Sequence, residues 1–183
     1  MNAMRALAAL FLIPVSALSQ ASAPAAKERA PDSVQSLPAE IRHDLDLRQC
    51  HIPKYSGSVD VRDQTYTTGH FRSRLSVDYA IVCHIPARKV QSILVYSKFE
   101  GTWSGEVITS EPFDPSPGSD TCASSVGVAT PAKILAYARA FAPEELKRLP
   151  HLDHDGVEID ICEKASVIHY FSNGQWSQLQ GAD

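Results

Sequence analysis

Four cysteines, Cys50, Cys83, Cys122 and Cys162, constrain this chain of 183 residues more than any other feature. No two of them form a C-x-x-C pair, so the close spacing of zinc ribbons and thioredoxin-like redox sites is missing. An even number of distant cysteines in an oxidising compartment points to two disulfides. Four cysteines allow three pairings, and the one between sequence neighbours is Cys50–Cys83 with Cys122–Cys162. On the chain-entropy relation each such loop is worth about 3.5–4 kcal/mol.

The N-terminus agrees with that compartment. Arg5 is followed by the apolar run "ALAALFLIPV", and Ser19 and Ala21 suit a signal-peptidase cut after Ala21. The run is shorter than the roughly 20 residues that span a bilayer. Residues 1–21 therefore read as an export signal and the product as periplasmic or secreted. Arg5 is the only charge removed, so the formal net charge moves from −4 to −5. An acidic chain without a basic stripe excludes nucleic-acid binding, and no later segment is long enough to span a membrane. Residues 22–36, "SAPAAKERAPDSVQS", are Ala-, Pro- and Ser-rich without an apolar period and read as a flexible leader. Residues 37–183 then suffice for one core.

Periodicity organises that domain. Pro38 suits a first helical turn, and Ile41 with Leu45 makes an i,i+4 apolar pair. "CHIPKYSGSVDVRDQ" is punctuated by Pro and Gly and should be irregular. "TYTTGHF", "VDYAIVC", "VQSILVY" and "GEVIT" are β-branched and aromatic, and predict a four-strand meander with a turn at "SKFEG". A Pro-rich loop, Glu111 to Asp120, precedes a central helix. In that helix Thr130 is the N-cap and Pro131 the first helical residue, with Ile134, Tyr137, Ala138 and Phe141 on one face. "PEELKRLP" restarts as a short turn with Leu146 and Leu149 inward. Ser172-Asn173-Gly174 marks a hairpin, because Asn-Gly tolerates the positive φ of a type I′ turn. "YSKFEGTWS" and "YFSNGQWS" repeat one plan of strand, turn and Gly-x-Trp-Ser. The expected fold is α+β: mostly antiparallel β meander and hairpins, an N-terminal helix, one central helix and two disulfides.

In "TTGHFRSRLSVDYAIV", Gly69, Phe71, Asp78 and Ala80 are spaced as in the hairpin of FG-GAP and VCBS-type repeats, which this stretch resembles. The resemblance implies propeller-like sheets and, in the family, a calcium loop. Arg72, Ser73, Arg74, Leu75 and Ser76 replace the family's acids and glycines, so this loop is expected to be metal-free. The segments "CHIP", "GHF…DYAIVC" and "DHDG…EKASVIHYFSNGQWSQLQGAD" are similar to a group of uncharacterised secreted bacterial proteins. A more distant likeness is to periplasmic lysozyme inhibitors and related immunity proteins.

The richest cluster of ligand-type residues is "HLDHDGVEID". His151, Asp153 and Asp155 with Gly156 follow the spacing of a D-x-D-x-D-G calcium loop, and Glu158 or Asp160 would close the shell. His151 with His154 and an adjacent aspartate would suit a transition metal. The plain alternative is a polar turn before a strand beginning at Val157. The sequence has no G-x-S-x-G elbow, H-E-x-x-H or Gly-rich phosphate loop, so no residue is singled out as catalytic. Trp103, Tyr170 and Trp176 are candidates for a protein or glycan contact. These features predict an exported, non-enzymatic binding module that acts on an envelope or exported protein, concretely an inhibitor or immunity-type protein against a cell-wall hydrolase. Two other readings stay open: a metal-dependent enzyme centred on residues 151–160, and an envelope structural protein with a calcium-stabilised turn.

Overall fold

The computed structural model of the chain describes residues 27–54, 65–113, 124–161 and 165–180. Residues 1–21, read above as an export signal, Cys122, Cys162 and most of the Pro-rich loop lie outside the described residues, and with them the expected Cys122–Cys162 pairing. The described chain runs β1 (Lys27–Arg29), α1 (Ala39–Leu47), β2 (Ile52–Lys54), β3 (Tyr66–Gly69), β4 (Asp78–Ile85), β5 (Val90–Phe99) and β6 (Thr102–Pro112). It continues with β7 (Ser124–Ala129), α2 (Pro131–Phe141), α3 (Pro143–Leu146), β8 (Gly156–Ile161), β9 (Ala165–Ser172) and β10 (Gln175–Gln180). Every strand pairing among the described residues is antiparallel. The fold is mostly β, with helices on its outer faces.

Two four-stranded sheets, β3-β4-β5-β6 and β10-β9-β8-β7, stack face to face. The period-2 alternation of strands decides which side chains meet. Ala80 and Val82 of β4 with Ile93 and Val95 of β5 face the second sheet, where they meet Val126, Val157 and Ile159. Their neighbours Ile81, Cys83, Leu94 and Tyr96 point the other way, against Ile41 and Leu45 of α1. On the far face of the second sheet, Ile168, Tyr170 and Leu179 pack under Ile134 and Ala138 of α2. The order of layers is therefore α1, first sheet, second sheet, α2. Apolar residues on both sides of β4 and β5 explain why "YAIVC" and "SILVY" read as near-continuous apolar runs.

Local signals account for the ends of several elements. Thr130 accepts a hydrogen bond from Lys133 N ahead of Pro131, as its N-cap chemistry predicts. The tight turns Glu100-Gly101 and Asn173-Gly174 have φ of 49° and 87°, and of 50° and 82°, the positive pair that a type I′ hairpin requires. β5 thus extends three residues past Tyr96, and the turn is shorter than "SKFEG" suggested. The two Gly-x-Trp-Ser hairpins share a turn but not a facing. Tyr96 lies four residues before its turn and Tyr170 three before its own, and one residue reverses the face. Tyr96 and Trp103 both look toward α1, whereas Trp176 enters the space between the sheets and Tyr170 looks toward α2.

Four expectations change. Part of the predicted flexible leader is ordered: Lys27–Arg29 pairs with Ile52–Lys54, and Val34 is buried in the cluster under α1. Ala-, Pro- and Ser-rich composition carries no such signal, because the partner strand supplies the hydrogen bonds. The "CHIP" segment is correspondingly a strand rather than irregular. β7 was not predicted, since "SSVGVA" holds only two large apolar residues; among the described residues it is an edge strand paired with β8. Phe141 ends α2 49% exposed and packs edge-on against Tyr137 rather than joining the core.

Cys50 and Cys83 are bridged, with Cα atoms 5.2 Å apart. The bridge ties the residue just past α1 to the centre of β4. A second tie is Tyr96, whose hydroxyl donates to Asp44 Oδ2 on α1 at 2.7 Å. Burial opposes ionisation of Asp44, but the hydrogen bonds from Tyr96 and Arg48 outweigh it and hold its pKa below the ordinary value. Tyr96 lies flat over Gly105, where an added Cβ would sit 2.4 Å from the ring. Gly105→Ala is therefore expected to displace the ring, break the Asp44 bond and cost about 2–3 kcal/mol by the overpacking and lost hydrogen bond. A urea melt of that variant against wild type measures it.

Candidate functional site

The site starts from one buried carboxylate. Asp78, at the start of β4, has no solvent exposure. Its Oδ2 accepts from Phe71 N at 2.7 Å, Arg72 N at 2.9 Å and Ser76 Oγ at 2.7 Å. These bonds fold the β3–β4 loop, residues 70–77, back over the strand end. Ser73 and Ser76 cross-bond at 3.2 Å in both directions, and His70 Nδ1–H donates to Ser76 O. The loop so held presents Leu75 at 85% exposure and Val77 at 56%.

The neighbouring hairpin adds to this end of the molecule. The β4–β5 register sets Tyr79 opposite Tyr96, so continuing it backward brings Val77 level with Lys98, next to Phe99. Phe99 is 72% exposed at the β5–β6 tip. Lys98 lies over the Trp103 ring at 5.6 Å, and Trp103 packs edge-on against Tyr79. The β9–β10 hairpin joins from the second sheet. Arg72 pairs with Glu106 and its guanidinium stacks on Phe171 at 4.6 Å. Trp176 Nε1 donates to the same Glu106 carboxylate at 3.1 Å and packs edge-on against Phe171. Three connections thus converge at one end: a braced loop and two hairpins, carrying exposed Leu75, Val77 and Phe99 beside Arg74 and Lys98.

The "HLDHDG" turn serves the same end. Asp155 Oδ2 accepts from His70 N at 3.1 Å, and Asp155 N donates to His70 O at 2.9 Å. The aspartate clasps the turn before β8 onto the β3–β4 loop and so links the two sheets. Glu158 lies on the opposite side, where Lys133 of α2 donates to its Oε2 at 2.5 Å. His151 and Asp153 are exposed, His154 Nδ1 faces Asp155 O at 3.2 Å, and Ser125 Oγ reaches Asp160 Oδ2 at 3.5 Å. Strand alternation separates the set, with Asp155 turned to the first sheet and Glu158 to α2. Among the described residues no three His, Cys, Asp or Glu side chains gather around a metal position.

The other named aromatics are placed by the same alternation. Tyr170 is 9% exposed and supports α2; Trp103 and Trp176 are half-buried and brace the hairpins from behind. The outward residues, Leu75, Val77 and Phe99, were not singled out from the sequence. Their signal was available: three large apolar residues at loop and turn positions where polar ones are usual.

Two buried histidines stand away from this end. His84 Nε2–H donates to Gln91 Oε1 at 3.0 Å, an oxygen fixed by Ser124 N at 3.0 Å, while Nδ1 faces Glu28 Oε1 at 3.6 Å. His169 belongs to β9, opposite Val157 of β8, and is 5% exposed. Burial lowers the pKa of both below the ordinary 6.5, and for His84 it outweighs the opposing pull of Gln91 and Glu28. The unfolded chain therefore takes up protons at higher pH than the folded one. This contribution to stability is complete above pH 6.5 and is lost as the pH falls below it. Urea midpoints should drop between pH 7.5 and 5.5, and His169→Gln should flatten the drop; an unchanged slope would contradict the assignment.

No protein family model, curated protein or solved structure matches the chain.

Proposed function

We propose that the chain is an exported binding module that recognises a protein partner through the end carrying the β3–β4 loop and the two hairpins. The observation that carries this reading is the exposure of Leu75, Val77 and Phe99, at 85%, 56% and 72%, on connections that hydrogen bonds hold in place. Large exposed apolar side chains on pinned backbone lose little conformational entropy on docking, which is how interface anchors behave. Arg74 and Lys98 at the rim favour a partner with acidic groups around an apolar depression. Export is supported by the apolar N-terminal run and by the Cys50–Cys83 bridge, which belongs to an oxidising compartment. A cell-wall hydrolase is the partner class that fits the resemblance to periplasmic lysozyme inhibitors.

The purified protein, assayed against lysozyme-type hydrolases on peptidoglycan, should inhibit at least one of them. Leu75→Asp with Phe99→Asp should weaken that inhibition at least a hundredfold while the melting curve stays in place. Absence of inhibition and of complex formation across the hydrolase classes, or inhibition unaffected by the double variant, would remove this reading.

A further inference from the structure

The outer face of the first sheet is covered unevenly. α1 packs over Ile81, Leu94 and Tyr96 and stops at Leu47, which is 69% exposed. Beyond that end lies a groove of about 690 Å³, within the range of about 300–1,000 Å³ usual for small-ligand sites. Its floor is Ile85, Val90, Leu94 and Val107, with Leu47 on the rim. A β-bulge shapes it. The β5–β6 register passes from Ile93↔Thr109 to Leu94↔Val107, which leaves Ile108 as the extra residue. Ile108 turns inward between the sheets, while Val107 stays in the groove, 46% exposed.

Charge and hydrogen bonding select what the groove accepts. Two arginines and no carboxylate line it, on a chain of net charge −4. Arg48 is already engaged: its Nε donates to Asp44 Oδ2 at 2.7 Å and a terminal nitrogen to Gly105 O at 3.3 Å. Arg88 has no hydrogen-bond or ion-pair partner among the described residues. Among the described residues the groove thus has one uncompensated cation, which matches one anionic head. The floor hydroxyls of Ser92 and Ser110 bond to each other at 2.8 Å. An extended peptide would bring a donor and an acceptor with each residue, which the apolar side chains of Ile85, Val90, Leu94 and Val107 cannot pair. A hydrocarbon chain brings neither.

We infer that this groove binds a single-chain anionic amphiphile, a fatty-acid anion, with its tail along the Val90–Leu94–Val107 floor and its carboxylate on Arg88. The site is separate from the loop end and does not depend on the partner proposed there. Displacement of dansyl-labelled undecanoate by dodecanoate, held below its micelle concentration, tests this on the disulfide-bonded protein. Saturable displacement is expected, with Kd raised at least tenfold in Arg88→Glu and in Val107→Asp, and unchanged in Arg74→Glu on the distant loop. Dodecanol should compete far more weakly than dodecanoate, a comparison that needs no variant. Equal competition by the two, unchanged affinity in Arg88→Glu, or no displacement would overturn the inference. Binding to anionic phospholipid vesicles without a response to monomeric dodecanoate would also overturn it, in favour of a membrane surface.

Discussion

Replacing Asp78 with alanine is expected to destabilise the fold by about 3–5 kcal/mol, the scale of breaking a buried charged network. The carboxylate is fully buried and accepts from two backbone amides and one hydroxyl. Phe71, whose amide it holds, is itself 0% exposed, so the orphaned N–H would have no water to turn to. An unsatisfied buried donor costs about 1–3 kcal/mol, and here two amides lose their acceptor together. Asp78→Asn separates charge from shape: it keeps one acceptor oxygen and should lose only about 1–2 kcal/mol, the charge-assisted part. Urea denaturation gives both values. The alanine variant should also lose partner binding before it unfolds, because Leu75 and Val77 ride on the loop that Asp78 holds. A loss under about 0.5 kcal/mol, the usual scatter for an unimportant surface change, would mean that the loop is held by something else.

The second large effect is expected from the bridge between Cys50 and Cys83. Their sequence separation is 33, and closing a loop of that size removes about 3–4 kcal/mol of entropy from the unfolded chain. Both residues are 1% exposed, so changing each to alanine also removes packed sulfur from the layer between α1 and β4. The double alanine variant avoids a stray thiol and should unfold at clearly lower urea than wild type. The first sheet should loosen before the second, since the bridge holds only the α1 side. Amide exchange would show this as lost protection in α1 and β4 with β8 to β10 retained. Uniform loss would indicate that the two sheets unfold as one cooperative unit.

Where local chemistry was decisive, the sequence was readable. Thr130-Pro131 set the start of α2, Asn173-Gly174 set the second hairpin, and the four apolar runs from Tyr66 to Val107 set the meander order. Each of those signals acts within a few residues, through a cap, a turn angle or a side-chain period. The short strands β1 and β7 were hidden because their hydrogen bonds come from β2 and β8, distant in sequence. The acidic turn could not be resolved from sequence for a related reason. Its spacing resembles an ion loop, yet spacing along the chain does not say which way a side chain faces once a strand begins at Gly156.

By itself, then, the sequence determined the helix starts, the tight turns and the alternating faces of the strands, while the cysteines left three pairings open until the structure joined Cys50 to Cys83. Only the tertiary structure decided that Asp155 clasps one sheet to the other, that Asp78 bends a loop outward with Leu75 and Val77 on it, and that α1 leaves part of its sheet uncovered. The reason is physical: a periodicity fixes which side chains share a face, but what that face meets depends on contacts between elements far apart in the chain.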